Sequence, residues 1–443
     1  MLGEYPIEGR GAAEIASSVE RAVGSGELKP GQPLPPMREL AARLGVNPNT
    51  VAAAYRTLRE RGVIETAGRR GSRVRAKPAT TGRKELRVQV PPGGRDLAAG
   101  NPDPALMPRL GPAFAAAAEA ADRDPVLYGA EPVDPDLVRL ARAELDADGV
   151  PEGPVMVASG SLDAVERVLV AHLRPGDAVA VEDPGWGSVI DLVPALGLRA
   201  LPVGVDDDGP RAEDLRRALE SGARAVIVTD RAQNPTGAAV SATRARALRA
   251  VLREHPQTLL IEDDHGNGIV DQPLHPLAGV TRNWAFVRSV AKAYGPDLRL
   301  AVLAGDPVTL DRVRGRQRLG PGWVSLLLQR AVVRLWSEGA VDRAAVAAAY
   351  RNRRQLLIDA LAGHGLTAHG RSGLHVWVPV PDETVAVARL LQAGWAVAPG
   401  ARFRLNSPPG VRITVSTLTA EDIEPLAEAV AAAVRPSPER VYG

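Results

Sequence analysis

Amine chemistry needs a lysine, and this chain keeps few of them. Its four lysines are Lys29, Lys77, Lys84 and Lys292, so beyond Lys84 every other cation of the Lys/Arg type is arginine. A primary amine forms a Schiff base with an aldehyde, and a guanidinium cannot replace it. Lys292 is therefore the candidate for that chemistry. Ser289 lies three residues before it and Arg299 seven after, groups suited to holding a phosphate beside an aldehyde. Four further clusters carry chemistry: Ser159-Gly160-Ser161, Asp183-Pro184-Gly185-Trp186, Asn234-Pro235-Thr236-Gly237 and Glu262-Asp263-Asp264-His265. Three acids and a histidine suggest a metal, but no second histidine stands at ligand spacing. The alternative is one carboxylate held against a pyridinium nitrogen, which makes a cofactor ring a better electron sink.

The elements that must position these residues follow from the hydrophobic pattern. Short apolar runs at Val155–Ala158, Ala178–Val181, 225–228, 259–261, 285–287 and 301–303 alternate with amphipathic stretches such as Leu162–Leu173. That pattern predicts a mostly parallel, buried sheet with helices on both faces. Ligands of such sheets sit at the carboxyl ends of strands, where each cluster falls. Ser159-Gly160-Ser161 joins a strand to a helix, so its N–H groups and hydroxyls suit a phosphate at a helix N-terminus. Long helices at 324–336 and 340–361, strands at 374–378 and 411–415, and a helix at 420–434 are expected to complete the chain. His275, His364, His369 and His375 are assigned ordinary surface or core roles.

The N-terminal part reads differently. Residues 1–95 hold 17 Lys/Arg against nine Asp/Glu, whereas the whole 443-residue chain has a net charge of only +2. A basic segment on a mildly acidic body points to an anionic partner for that segment. Ile15, Val19 and Val23 give one face of a helix, and Arg38–Leu44 forms a second. Gly45-Val46-Asn47 is a turn in which Asn47 caps and Pro48 opens a third helix. Val51, Ala54, Tyr55 and Leu58 make its buried stripe, leaving Asn49, Thr50, Ala53 and Arg56 outward. Two helices across a glycine turn make a helix-turn-helix, whose second helix enters a major groove. Two strands around Gly68-Arg69-Arg70-Gly71 make a wing whose arginines reach phosphates or the minor groove. Residues 77–98, rich in Pro, Gly and charge, read as a linker with a short strand at 86–90. The chain has no cysteine, which excludes disulfides and thiolate chemistry. Its start lacks a signal pattern and no apolar run is long enough to span a membrane, so a soluble cytoplasmic protein is expected.

From Leu28-Lys29-Pro30-Gly31 through Asn47-Pro48-Asn49-Thr50-Val51 to the wing, residues 1–76 resemble the winged helix-turn-helix of the GntR family. The resemblance implies contacts to double-stranded DNA from Arg38, Asn49, Thr50, Arg56, Arg69, Arg70 and Arg73. Residues 99–443 resemble the fold-type I, aspartate aminotransferase-like enzymes that use pyridoxal 5'-phosphate. This implies an α/β fold with a large, mostly parallel sheet domain and a small α+β C-terminal domain. It further implies that Lys292 is the Schiff-base lysine, Asp263 the partner of the pyridine nitrogen, and Asn234 the partner of the ring hydroxyl. Trp186 would stack on the ring, and Gly160, Ser161, Ser289 and Arg299 would hold the phosphate. Arg412 would take the carboxylate of an effector. Tyr128 matches the residue that reaches a neighbouring subunit's phosphate, which implies a homodimer. His265 stands where the family usually has tyrosine near the ring hydroxyl, and a histidine could still donate a hydrogen bond there. The two halves together resemble the MocR subfamily of bacterial transcription regulators. That implies a DNA-binding regulator sensing pyridoxal phosphate or a small amino compound. The rival expectation is a working aminotransferase with an accessory DNA-binding domain.

Overall fold

The computed structural model describes residues 7–25, 27–29, 31–60, 63–66, 71–74, 90 and 92–435. By its internal contacts the chain divides into two compact units, one built on Met1–Thr80 and the other on most of the remainder.

The first unit contains helices Ala12–Ser25, Met37–Leu44 and Pro48–Glu60, and an antiparallel pair of strands, Ile64–Thr66 and Ser72–Val74. Apolar residues at helical spacing converge on one core: Ile15 and Val19, Leu40 and Ala41, and Val51, Ala54, Tyr55 and Leu58, closed by Ile64 and Val74. Gly45 ends the second helix in the left-handed region (φ 65°), its N–H turned back onto the carbonyls of Ala41 and Ala42. Asn47 then caps the third helix through its side-chain oxygen, which accepts from the Asn49 N–H at 2.8 Å. Tyr55 reaches out of the core to donate to the Pro35 carbonyl at 2.8 Å, tying the third helix to the segment before the second. The expected wing is present in its two strands. Arg69 and Arg70, the strand expected at 86–90 apart from Val90, and most of the expected linker lie outside the described residues.

The second unit is organised on an eight-stranded sheet. Its central strands Ala178–Asp183, Ala223–Thr229, Leu259–Asp264 and Asn283–Ser289 run parallel, and Ala301–Gly305 runs antiparallel between Asn283–Ser289 and Val155–Ala158. The central strands are buried along almost their whole length, as near-continuous Val, Ile, Leu and Ala runs require. They extend further than their apolar runs. Glu182-Asp183 and Glu262-Asp263-Asp264 are in-strand and buried because each acid finds hydrogen-bonding or ionic partners, which an apolar count does not register. A second core lies around a three-stranded antiparallel sheet that includes His375–Pro379 and Gly410–Thr414, packed by helices Arg343–Gly363, Glu383–Gln392 and Ala420–Val434. Helices Gly111–Arg123 and Pro135–Ala147 and strand Arg199–Asp206 were not legible from the pattern.

Candidate functional site

The carboxyl ends of the central strands open into a cavity of about 290 Å³. Ser161, Trp186, Asn234, His265, Ser289, Lys292, Arg299 and Arg412 all line it, brought together from positions up to 251 residues apart in the chain. Ser289 ends its strand and Lys292 sits in the single helical turn Ala291–Tyr294 that follows. The Lys292 Nζ donates to the Gly100 carbonyl at 2.7 Å. Arg299 closes this segment in the left-handed region (φ 44°, ψ 45°), rare for a side-chain-bearing residue. Its guanidinium donates to the Ser159 carbonyl at 3.2 Å and lies against Gly160. Gly160 has φ 96°, and a β-carbon there would stand 2.9 Å from Arg299 Nη2, so glycine is required on both counts. The Ser161 hydroxyl is buried without a hydrogen-bond partner. Tyr128 lies apart from this cavity, 95% exposed, with its ring edge-on to Trp323 at 5.9 Å.

Successive strand side chains point to opposite faces, so Glu262 and Asp264 share one face and Asp263 points to the other. Glu262 accepts from the Leu277 N–H at 2.5 Å and faces Asp230, and burial raises the pKa of both carboxyls. Asp264 binds Arg231 through both oxygens, at 3.0 and 2.7 Å, and accepts from Arg288 at 3.1 Å. Asp263, between them, meets the cavity-lining His265: Oδ2 faces His265 Nδ1 at 2.8 Å, and Oδ1 is buried with no partner. His265 Nε2 faces the Ala232 carbonyl, also at 2.8 Å. Both ring nitrogens are thereby engaged within the protein. Burial lowers the pKa of His265, but the charge and hydrogen bond of Asp263 outweigh it and the net shift is upward. Ala232 itself has φ 56°, a conformation that costs a non-glycine residue about 1–2 kcal/mol. Its N–H donates to the Ser372 hydroxyl at 2.7 Å, which helps to hold it there.

Arg412 is 3% exposed, and the groups it binds are neutral: Asn234 Oδ1 at 3.1 Å and the Ala98 carbonyl. Its Nε is buried without a partner. Burial, with Arg402 nearby, pulls its pKa down to about 9, still above neutrality. A buried guanidinium bonded to neutral acceptors suits an incoming carboxylate. Arg402 and Arg412 lie 5.5 and 4.8 Å from the centre of the Phe403 ring. Gly100, Asn101, Arg402, Phe403 and His375 line the cavity without having been singled out in the sequence. His375 in particular is neither a surface residue nor remote from the site. Burial first, then Arg412, Lys292 and His265, hold its pKa well below the ordinary histidine value, so it stays neutral. Asp183 takes no part in the cavity: it accepts from the backbone N–H groups of Leu405, Asn406 and Ser407 and the Ser407 hydroxyl.

In the N-terminal unit, the outward face of Pro48–Glu60 presents exposed Asn49 and Arg56 with half-buried Thr50 and Ala53. Arg38 is exposed on the preceding helix. Arg73 is held by Glu65 at 2.6 Å across the wing strands, so part of its charge is already engaged.

Comparison with known proteins gives a consistent pattern. Residues 12–74 match the family described as bacterial regulatory proteins, gntR family, and residues 96–430 match aminotransferase class I and II. The vitamin B6 salvage pathway transcriptional repressor PtsJ of Salmonella typhimurium is 41% identical over 427 residues, 95% of this chain and 98% of that protein. The HTH-type pyridoxine biosynthesis transcriptional regulator PdxR of Corynebacterium glutamicum is 30% identical over 376 residues, 79% of this chain and 78% of that protein. Among solved structures, a kynurenine aminotransferase of Pyrococcus horikoshii in complex with PMP aligns with a TM-score of 0.69 at 19% identity. The alignment covers 80% of this chain and 96% of that one. That likeness establishes the fold of the second unit.

Proposed function

The chain belongs to the MocR-type regulators of the gntR family, in which a GntR helix-turn-helix domain is joined to an aminotransferase class I and II domain, and from that premise we infer that it is a transcription regulator whose second unit binds pyridoxal 5'-phosphate. The domain assignment that goes with this reading is DNA binding by residues 1–76, a linker at 77–98 and effector binding by 99–443. The observation that carries it is a single cavity in which the Lys292 amine lies with a phosphate-type donor set, beside buried Asp263. The cofactor fits the residues present. Asp263 Oδ1 and Ser161 Oγ are buried polar atoms without partners, suited to a ring nitrogen and a phosphate. Ser289 and Arg299 add a hydroxyl and a guanidinium, and Gly160 leaves the space a β-carbon would fill. When bound, the cofactor supplies an aldehyde carbon at which one amine is exchanged for another. Trp186 would cover its ring, Asn234 would hydrogen-bond the ring hydroxyl, and Arg412 would take the carboxylate of an amino compound. Tyr128, exposed and outside its own chain's cavity, is available to a second copy in a homodimer.

The test is selection of bound DNA from a random pool, with and without pyridoxal 5'-phosphate. Enrichment of a paired half-site whose affinity changes with the cofactor is expected. No enriched sequence, or identical binding in both conditions, would sink the regulator reading. On the selected DNA, Arg56→Ala is expected to cost about 1–3 kcal/mol and relax base preference where the helix reads it. Gly160→Ala is expected to weaken the cofactor by about 1.5–3 kcal/mol, the scale of one charge-assisted hydrogen bond, as Arg299 is displaced. Titration of the visible absorption band measures it. The second reading, turnover of an amino acid with a keto acid, draws on the same lysine and carboxylate. Multiple turnovers without any effect on DNA binding would favour it.

A further inference from the structure

We propose that His265 offsets the charge of Asp263, so that the site exchanges amines at the cofactor's aldehyde carbon while leaving the Cα–H bond of the incoming amine intact. The proposal rests on the cofactor reading above and deepens it: it separates a sensor from a catalyst at one residue pair.

The charge of the pair follows from its protons. One nitrogen of His265 faces the Asp263 carboxyl at 2.8 Å and the other faces the Ala232 carbonyl at 2.8 Å. A backbone carbonyl only accepts, and an ionised carboxylate only accepts. A neutral imidazole has one N–H, so making both contacts requires a second proton in the pair. That proton sits on the ring, giving imidazolium against carboxylate, or on Asp263, giving imidazole against carboxylic acid. Either way the pair is net neutral. The other titratable groups that face His265 do not alter this count. Lys292 lies on the short helix after the neighbouring strand, and His375, at the start of the small-sheet strand, is held neutral by burial. Trp186, whose ring centre is 6.5 Å from that of His265, brings no charge. Asp263 is the carboxylate in contact with the ring.

The consequence falls on the cofactor's ring nitrogen, for which Asp263 Oδ1 is the available acceptor. A full carboxylate charge would hold a proton on that nitrogen, and a protonated ring accepts the electron pair left when a Cα–H bond breaks. With the charge of Asp263 offset by His265, the nitrogen is less basic and the ring a poorer sink. Amine exchange needs no sink. The ligand enters as a neutral amine, and its nitrogen bonds to the aldehyde carbon as the bond from that carbon to Lys292 Nζ breaks. With the C=N nitrogen protonated before and after, one of the ligand's two N–H protons passes to the departing lysine nitrogen, which leaves as a neutral amine. No electron pair enters the ring. The first process is retained and the second is slowed.

The experiment uses the full-length chain loaded with pyridoxal 5'-phosphate carrying ¹⁵N in its ring, as wild type, His265→Tyr and His265→Gln. At pH 7.5 the wild-type ring nitrogen is expected to give the chemical shift of an unprotonated pyridine, and both variants that of a protonated one. Exchange of the amino acid's Cα–H with solvent deuterium is expected to rise by about tenfold or more in His265→Tyr, the scale of a modest change in proton affinity at a reacting system. A protonated ring in the wild type overturns the proposal, as does a ring shift and exchange rate unchanged in both variants while the visible band forms normally. In the cofactor-free wild type, a His265 imidazole spectrum showing one protonated nitrogen at pH 7.5, with Asp263 ionised, also overturns it. A wild type that forms no visible band overturns the cofactor reading and this proposal together, so the two failures are distinct.

Discussion

Lys292→Ala is expected to abolish the visible absorption of the cofactor-loaded protein and, with it, any response of DNA binding to amino compounds. The size of the effect follows from the scarcity of amines in the site. The other lysines are Lys29, Lys77 and Lys84, all in the first 84 residues, and an arginine cannot form the bond. Affinity for the cofactor should fall without vanishing. The side chains proposed to hold its phosphate, Ser161, Ser289 and Arg299, remain, and charge-assisted hydrogen bonds contribute about 1.5–3 kcal/mol each. The variant should therefore bind pyridoxal 5'-phosphate reversibly, seen by dialysis, with an absorption spectrum like that of the free aldehyde. A wild-type-like band in Lys292→Ala would overturn the assignment of this lysine.

The second large effect is structural. Asp264 is fully buried and joins two buried guanidiniums: Arg231 through both oxygens, and Arg288, which also reaches Asp148. Asp264→Asn keeps the shape and removes the counter-charge. Stranding buried charges in this way costs about 3–5 kcal/mol. In a domain of this size that corresponds to a fall in Tm of roughly 10 °C, read by calorimetry. The loss should be pH-dependent in a definite sense. Burial raises the pKa of the Asp264 carboxyl, but Arg231 and Arg288 more than reverse this and hold it below the ordinary value of 3.8. Its contribution is present above that value and is lost as pH falls through the lower folded-state pKa. The gap between wild type and Asp264→Asn should therefore narrow in acid. Glu182 behaves in the opposite sense. Burial pushes its carboxyl up to about 7, so its contribution is complete below about 4.5 and is lost as pH rises through 7. Glu262 and Asp230 are raised by burial in the same direction. Thermal stability is thus expected to peak in mildly acidic solution, and a Tm that rises steadily from pH 5 to pH 8 would contradict this account.

Much of the second unit was legible because its signals are local. Apolar runs of fixed period mark the central strands, and the chemical residues follow directly at their carboxyl ends. The extra length of those strands was not legible: Glu182, Asp183 and Asp263 read as loop residues until partners such as Thr229, Leu405 and His265 are seen around them. Helices Gly111–Arg123 and Pro135–Ala147 escaped for a related reason. The first is largely alanine, whose burial at Ala113 and Ala117 leaves a weak periodic signal. In the N-terminal unit the stripe Val51, Ala54, Tyr55, Leu58 was sufficient, because each is buried in the core that its spacing implies.

By itself the sequence singled out the candidate amine, the order of the two units and eight of the residues that line the cavity, from Ser161 to Arg412. Those depend on residue type and on periodicity, both of which are written along the chain. Only the tertiary structure decided what His265 does. Its spacing places it beside Asp263, but its second acceptor is the carbonyl of Ala232, 33 residues away, turned toward it by a left-handed backbone conformation. The same holds for Arg412, which meets Asn234 across 178 residues, and for His375, whose neutrality comes from burial beside Arg412 and Lys292. A proton's position depends on every acceptor and charge within a few ångströms, and those neighbours are set by the packing of distant segments.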